Sequence, residues 1–160
     1  MAHLILLSAQ MTDTQISDLT QRGFAFVTPQ TITPDQIPNV EISYGWDAHV
    51  GSLMLGHPES KLSWVQSSSA GVDYFPLEKF KARHITLTNA SGLKAMPIAQ
   101  SVLGYILHFA RGLDYYTDQH SWHEFKNQYT VPELPTLIFG TGHIGQQIAK
   151  YLKALGGTVY

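Results

Sequence analysis

The chain has 160 residues, of which 44% are hydrophobic and 14% charged, so it holds enough apolar surface for a substantial core and is not a disordered polymer. Ten basic and twelve acidic residues leave a net charge of −2 with no basic run, which argues against a nucleic-acid or anionic-membrane surface. With no cysteine, disulfides, thiolate catalysis and cysteine zinc sites are excluded.

In chain order, "HLILLS" reads as a first core strand. The N-terminal "MAHLILLSAQ" is too briefly apolar, and lacks the basic start, for a secretory signal. "TDTQISDLTQRG" follows as a helix with a Thr or Asp cap and Gly23 at its end, and "FAFVT" as the second strand. "TPDQI" predicts one helical turn capped by Thr33, with Pro34 at its first position. "VEISYG" is a third strand, "DAHVGSLMLGH" a helix, "KLSWVQSS" a fourth strand, "FPLEKFKAR" a short helix and "HITLTNA" a fifth strand. Strands alternating with helices imply a parallel sheet covered on both faces.

The pattern then changes. "PIAQSVLGYILHFARGLDYYTDQHSW" predicts one long helix whose broad apolar face carries Ile98, Val102, Tyr105, Ile106, Phe109 and Leu113. Gln100, Ser101, His108 and Arg111 interrupt this stretch, so it is no membrane span. A soluble, cytoplasmic protein is the expectation. The polar connection "HEFKNQYTVPELP" leads to Leu137-Ile138-Phe139, an apolar run that predicts a strand buried on both faces. The predicted domains are residues 1–96 and 97–160.

The closing stretch carries the clearest chemistry. Gly140-Thr141-Gly142-His143-Ile144-Gly145 joins that strand to a helix with Ile144, Ile148, Tyr151, Leu152 and Leu155 at helical spacing. In such a turn the first glycine permits the tight bend and the second lets a pyrophosphate approach bare backbone. The third lets helix and strand lie close. The helix start offers free amides and a positive dipole end to the anion. Gly156-Gly157 ends the helix and Thr158-Val159-Tyr160 opens another strand. The flanking strand and helix favour dinucleotide binding over a plain turn.

Three motifs now stand in one order: "SSSAGVDYF", then "TNASGLKAMPIAQSVLGYILHFAR", then, after Trp122, "ELPTLIFGTGHIGQQIAKYLKALGGTVY". This order resembles the D-isomer-specific 2-hydroxyacid dehydrogenases. The resemblance implies an α/β chain: a flavodoxin-like parallel-sheet substrate domain, then the start of a Rossmann NAD(P)-binding domain. It implies hydride transfer between NAD or NADP and a small D-2-hydroxy or 2-oxo acid. Ala70, Gly71 and Val72 match the loop whose amides hold the substrate carboxylate, and Tyr44 and Gly45 are expected at the same sheet edge. Gly140, Thr141, Gly142, His143, Ile144 and Gly145 match the cofactor turn. The long helix and its aromatic arm (Tyr115, Tyr116, Trp122, Phe125, Tyr129) imply a homodimer.

The resemblance has departures. Gln100 stands where relatives have Glu, and His143 where they commonly have Arg beside the pyrophosphate. The family's catalytic Arg, Glu and His are expected beyond residue 160, as is the acidic residue that reads the ribose, so the chain is expected to be a truncated piece, inactive alone. The competing reading is a non-catalytic dinucleotide-sensing or dimerisation module of the same architecture. A methyltransferase fits poorly with the long helix before the turn.

Other candidates are weaker. His3, His84 and His108 read as packing residues. His120 and His123, with Glu124, read as surface residues rather than metal ligands, and no metal site is predicted. Asp73 reads as a cap for the helix after it. Ser67, Ser68 and Ser69 lack a hydrolase elbow.

Overall fold

A computed structural model describes residues 3–117 and 119–160. The chain forms two compact units, Met1–Ala90 and Ser91–Tyr160. The loop ahead of the long helix belongs to the second unit, which puts the division at 90/91 where the sequence suggested 96/97.

The first unit is a five-stranded sheet, all parallel. Its strands are β1 (His3–Leu7), β2 (Phe24–Val27), β3 (Val40–Tyr44), β4 (Trp64–Gln66) and β5 (Thr86–Thr88), in the order β2-β1-β3-β4-β5. This is the flavodoxin-like doubly wound order. Leu6, Ser43, Val65 and Leu87 stand in register across four strands. That row meets α2 (Ala48–Gly56) through Val50 and Met54, and α3 (Leu77–Ala82) through Phe80. Trp46 fills the corner, its ring 5.1 Å from Phe80 and 5.9 Å from Phe75. Ser43 is buried in this apolar row without penalty, because its hydroxyl donates to the Gly45 carbonyl at 2.8 Å.

Local sequence explains the helix ends. Thr12 and Gln15 form a reciprocal capping box that starts α1 (Asp13–Gln21), and Asp47 caps α2 by accepting from the Val50 amide. The last carbonyls of α2 are taken by Arg83, whose guanidinium donates to Leu55 at 2.5 Å and to His57 at 2.8 Å. The turn expected at "TPDQI" is present: the Gln36 amide donates to the Thr33 carbonyl and the Thr33 amide to the Gln36 side chain, each at 3.0 Å, and 3-10 geometry follows from Ile37 to Asn39 with Pro38 inside it.

In the second unit α4 (Ala95–Ala110) packs against α6 (His143–Ala154), burying Ala99, Ala110, Leu152 and Val131. The long helix is not continuous. It stops at Arg111, Gly112 turns into the left-handed region at φ 62°, and α5 (Leu113–Thr117) restarts beyond it. The Phe125 ring occupies the place a Gly112 side chain would need, and the Tyr129 amide takes the freed Ala110 carbonyl at 2.7 Å. Asp118, inside the helix expected from sequence, lies outside the described residues. The apolar face of α4 is also less covered than its periodicity suggests, with Tyr105 and Phe109 each 67% exposed.

The run Leu137–Phe139 is not the buried strand its composition suggested. Thr136 and Val159 form a single parallel bridge, extended by the Ile138 amide donating to Tyr160. Only this one neighbour pairs with it among the described residues, so Leu137 and Phe139 stay in solvent. Gly156, at φ 81°, ends α6 as expected. No helix among the described residues is long and apolar enough to cross a membrane.

Candidate functional site

At the carboxyl end of β4 the chain passes through buried Ser67, whose amide donates to Thr88 at 2.8 Å, and enters the loop Ser68–Asp73. Each carbonyl of the following segment is held by a protein donor. The Ser69 carbonyl accepts from the Ser67 hydroxyl (3.0 Å) and the Ala90 amide (3.0 Å). The Ala70 carbonyl accepts from Asn89 Nδ2 at 2.9 Å, the Gly71 carbonyl from the Ser69 hydroxyl at 2.9 Å, and the Val72 carbonyl from the Phe75 amide at 3.1 Å. In a trans peptide the N–H points opposite to its C=O, so holding three successive carbonyls turns the next amides the other way. Among the described residues the amides of Ala70, Gly71 and Val72 have no protein acceptor. Free, co-located backbone amides are an anion receptor.

Asp73 lies in the turn after this loop. It does not cap α3, whose N-cap is Pro76, without a side-chain bond. Gly45, at the end of neighbouring β3, is occupied by packing. Its φ is 80°, its amide donates to Gln66 at 2.8 Å, and a β-carbon there would stand 2.9 Å from Ala9. Half-buried Tyr44 gives its carbonyl to the amides of Ser8 and Ala9. These bonds knit β3 to β1 at the topological switch point, where doubly wound sheets usually open.

In the second unit the glycine turn divides its three glycines by role. Gly140 adopts φ 110°, which side-chain-bearing residues avoid. A β-carbon on Gly145 would collide with the Gly140 carbonyl oxygen and touch Ile138, so this glycine brings α6 onto the turn. Gly142, the N-cap of α6, has ordinary extended geometry and open space where a β-carbon would go. No protein atom requires a glycine there. The first-turn amides of α6 project from this end of the helix, and Gln146 Nε2 braces the turn through the Thr141 carbonyl at 2.7 Å. A hollow of about 210 Å³ runs beside them, lined by Ile138, Gly140, Thr141, Gly145, Val159 and Tyr160. His143 and Ile144 are both exposed at the helix start. The His143 ring lies over Gly92, 3.1 Å from the position of a β-carbon there.

No family model matches the chain. It is 28% identical over 129 residues to the erythronate-4-phosphate dehydrogenase of Pseudoalteromonas translucida, covering 80% of this chain and 31% of that protein. To the enzyme of the same name from Colwellia psychrerythraea it is 25% identical over 127 residues, covering 79% and 29%. Among solved structures, phosphoglycerate dehydrogenase from Lactobacillus plantarum aligns over 96% of this chain and 51% of its own, at 31% identity and a TM-score of 0.56. The D-lactate dehydrogenase of Aquifex aeolicus shares the fold at a TM-score of 0.70 and 17% identity, covering 98% and 50%. The chain belongs to the D-2-hydroxyacid dehydrogenase family. It spans about a third of the length of these curated relatives and about half of these structures.

Within this dehydrogenase framework, sequence reasoning missed one set of side chains. Ser67, Ser69 and Tyr74 form a hydroxyl cluster around the loop at 70–72, with Tyr74 Oη 2.7 Å from Ser69 Oγ and 3.1 Å from Ser67 Oγ. Their only sequence signal was a run of hydroxyl residues at a strand end. The histidines also differ from expectation. His3 is exposed: its ring lies 5.6 Å from that of Phe24, and its Nδ1 pairs with Glu41 Oε2 at 2.7 Å. His84 is exposed as well, at φ 55° in the turn between α3 and β5, while half-buried His108 meets Phe109 edge-on, ring centroids 5.4 Å apart. His123 bonds to the Ser121 hydroxyl, and no group of three potential metal ligands occurs among the described residues.

Proposed function

We propose that this chain supplies the carboxylate-binding loop and the pyrophosphate-binding turn of an NAD- or NADP-dependent dehydrogenase acting on a small D-2-hydroxy or 2-oxo acid. The observation that carries the reading is the pair of free-amide loops at Ala70–Val72 and at the start of α6. In the first, Ala70, Gly71 and Val72 bind and orient the acid's carboxylate. Hydrogen bonds to a charged acceptor contribute about 1.5–3 kcal/mol each.

In the second, the residues fit a dinucleotide. Gly140 shapes the turn, Gly142 leaves backbone bare where the protein itself needs no glycine, and Gly145 seats the helix. Thr141, His143 and Ile144 would line the pyrophosphate. The bound nicotinamide supplies the hydride chemistry, and the chain's own contribution is position and charge. The solved Aquifex relative was crystallised with NAD and lactic acid, which accords with one ligand for each loop. The outer face of α4, with exposed Tyr105 and Phe109, is the proposed contact with a second copy of the chain.

Amide chemical shifts test the reading. Titrating the labelled protein with glyoxylate should move the signals of residues 70–72, and titrating with NADH should move those of 141–145. If neither ligand perturbs its own loop, the assignment is wrong.

A further inference from the structure

The loop at 70–72 aims its amides only as well as its carbonyls are held, and one of those holds runs through two side chains in series. Ser69 Oγ donates its single proton to the Gly71 carbonyl at 2.9 Å. The 2.7 Å contact between Ser69 Oγ and Tyr74 Oη is therefore a bond in which the phenol donates. The bonds run in one direction, from Tyr74 to Ser69 to the Gly71 carbonyl. That carbonyl shares its peptide group with the Val72 amide. Hydrogen bonds in series polarise one another, so the phenol strengthens Val72 as a donor while fixing where it points.

The phenol is itself held from below. The Tyr74 ring lies on Phe75, centroids 4.4 Å apart, and Phe75 is part of the hydrophobic core. Tyr74 is otherwise 57% exposed, so burial of its own surface does not account for its place over the loop. Ser67, fully buried, makes the second brace by donating to the Ser69 carbonyl, which shares its peptide group with the Ala70 amide. The core thus reaches the anion-binding amides through hydroxyl groups.

We infer that Tyr74 and Ser69 are positioning residues for the carboxylate loop, acting on the acid through the Gly71–Val72 peptide without touching it. The inference rests on the substrate-binding reading of that loop. Tyr74→Phe keeps the ring on Phe75 and removes only the phenol oxygen. Ser69→Ala removes the relay, and Ser69→Thr restores a hydroxyl.

The test is glyoxylate titration of the 160-residue chain, followed through the Gly71 and Val72 amide signals, for the wild type and the three variants. NADH affinity and melting temperature are measured alongside. Tyr74→Phe and Ser69→Ala should each weaken glyoxylate binding about five-fold, the effect of one neutral hydrogen bond. Ser69→Thr should recover most of the loss, with NADH affinity and melting temperature unchanged throughout. A merely structural brace would lower the melting temperature and spare the acid. Wild-type glyoxylate affinity in Tyr74→Phe overturns the positioning role while leaving the loop's assignment intact. Silence of the wild-type loop toward glyoxylate overturns both.

Discussion

The two amide-bearing loops solve one problem by different means. The turn at 140–145 is shaped by backbone alone: Gly140 takes a left-handed φ, and Gly145 admits no side chain because the Gly140 carbonyl lies where its β-carbon would be. The loop at 69–72 has no such constraint. A β-carbon on Gly71 would meet only the Asp73 carboxylate oxygen at 3.2 Å, and Ser67, Ser69, Asn89 and Tyr74 do the shaping from outside. A loop held by its glycines is set by short-range sterics. A loop held by side chains can be adjusted one hydrogen bond at a time.

The largest effect expected from this contrast is at Gly145. Valine there would force α6 away from the turn, an overpacking cost of about 1–3 kcal/mol. The second unit's melting temperature should then fall by roughly 5–20 °C. An unchanged melting curve would mean that the turn yields easily and is not set by this contact.

Gly142→Val should behave in the opposite way. Its extended geometry and open surroundings accept a side chain, so the stability change should stay within about 1 kcal/mol. NADH affinity should fall by at least about ten-fold, because the new side chain would stand at the proposed pyrophosphate contact. Calorimetry of binding and of melting separates the two effects, and a variant that binds NADH normally would remove the ligand-based reason for this glycine.

Gly71→Val sharpens the comparison from the other loop. With only the movable Asp73 side chain nearby, melting should be preserved, while glyoxylate affinity drops by about ten-fold and NADH affinity holds. Retained acid binding would reduce the loop to a turn.

The smallest effect concerns the approach to the glycine turn. The Thr130 hydroxyl and amide both donate to the Glu133 carboxylate, holding its pKa below the usual range, with Arg111 adding a minor favourable charge. Because the folded state favours the ionised form, this contribution is present above the ordinary Glu pKa and is lost as pH falls through the depressed value. Glu133→Gln should therefore lower the melting temperature slightly at pH 7 and match the wild type in strong acid. A difference that persists in acid would assign the effect to something other than ionisation.

The sequence alone determined whatever depends on neighbours within a few residues. A Thr or Asp cap and Gly23 announced α1, the alternation of short apolar runs with helices announced the parallel sheet, and the spacing of Gly140, Gly142 and Gly145 announced the turn. Each is a local steric or hydrogen-bonding rule, so each is written in consecutive residues. Only the tertiary structure decided which surfaces are covered and which side chains return to a distant backbone. The apolar spacing of α4 ran on through Gly112, yet the chain turns there because Phe125 packs against it. Gly45, expected to line a site, lies tight against Ala9 in the loop after β1. Nothing in the sequence singled out Tyr74, whose packing on Phe75 brings its hydroxyl back over Ser69. Periodicity records the face a residue presents but not the partner that meets it. That partner is chosen by packing between segments far apart in the chain.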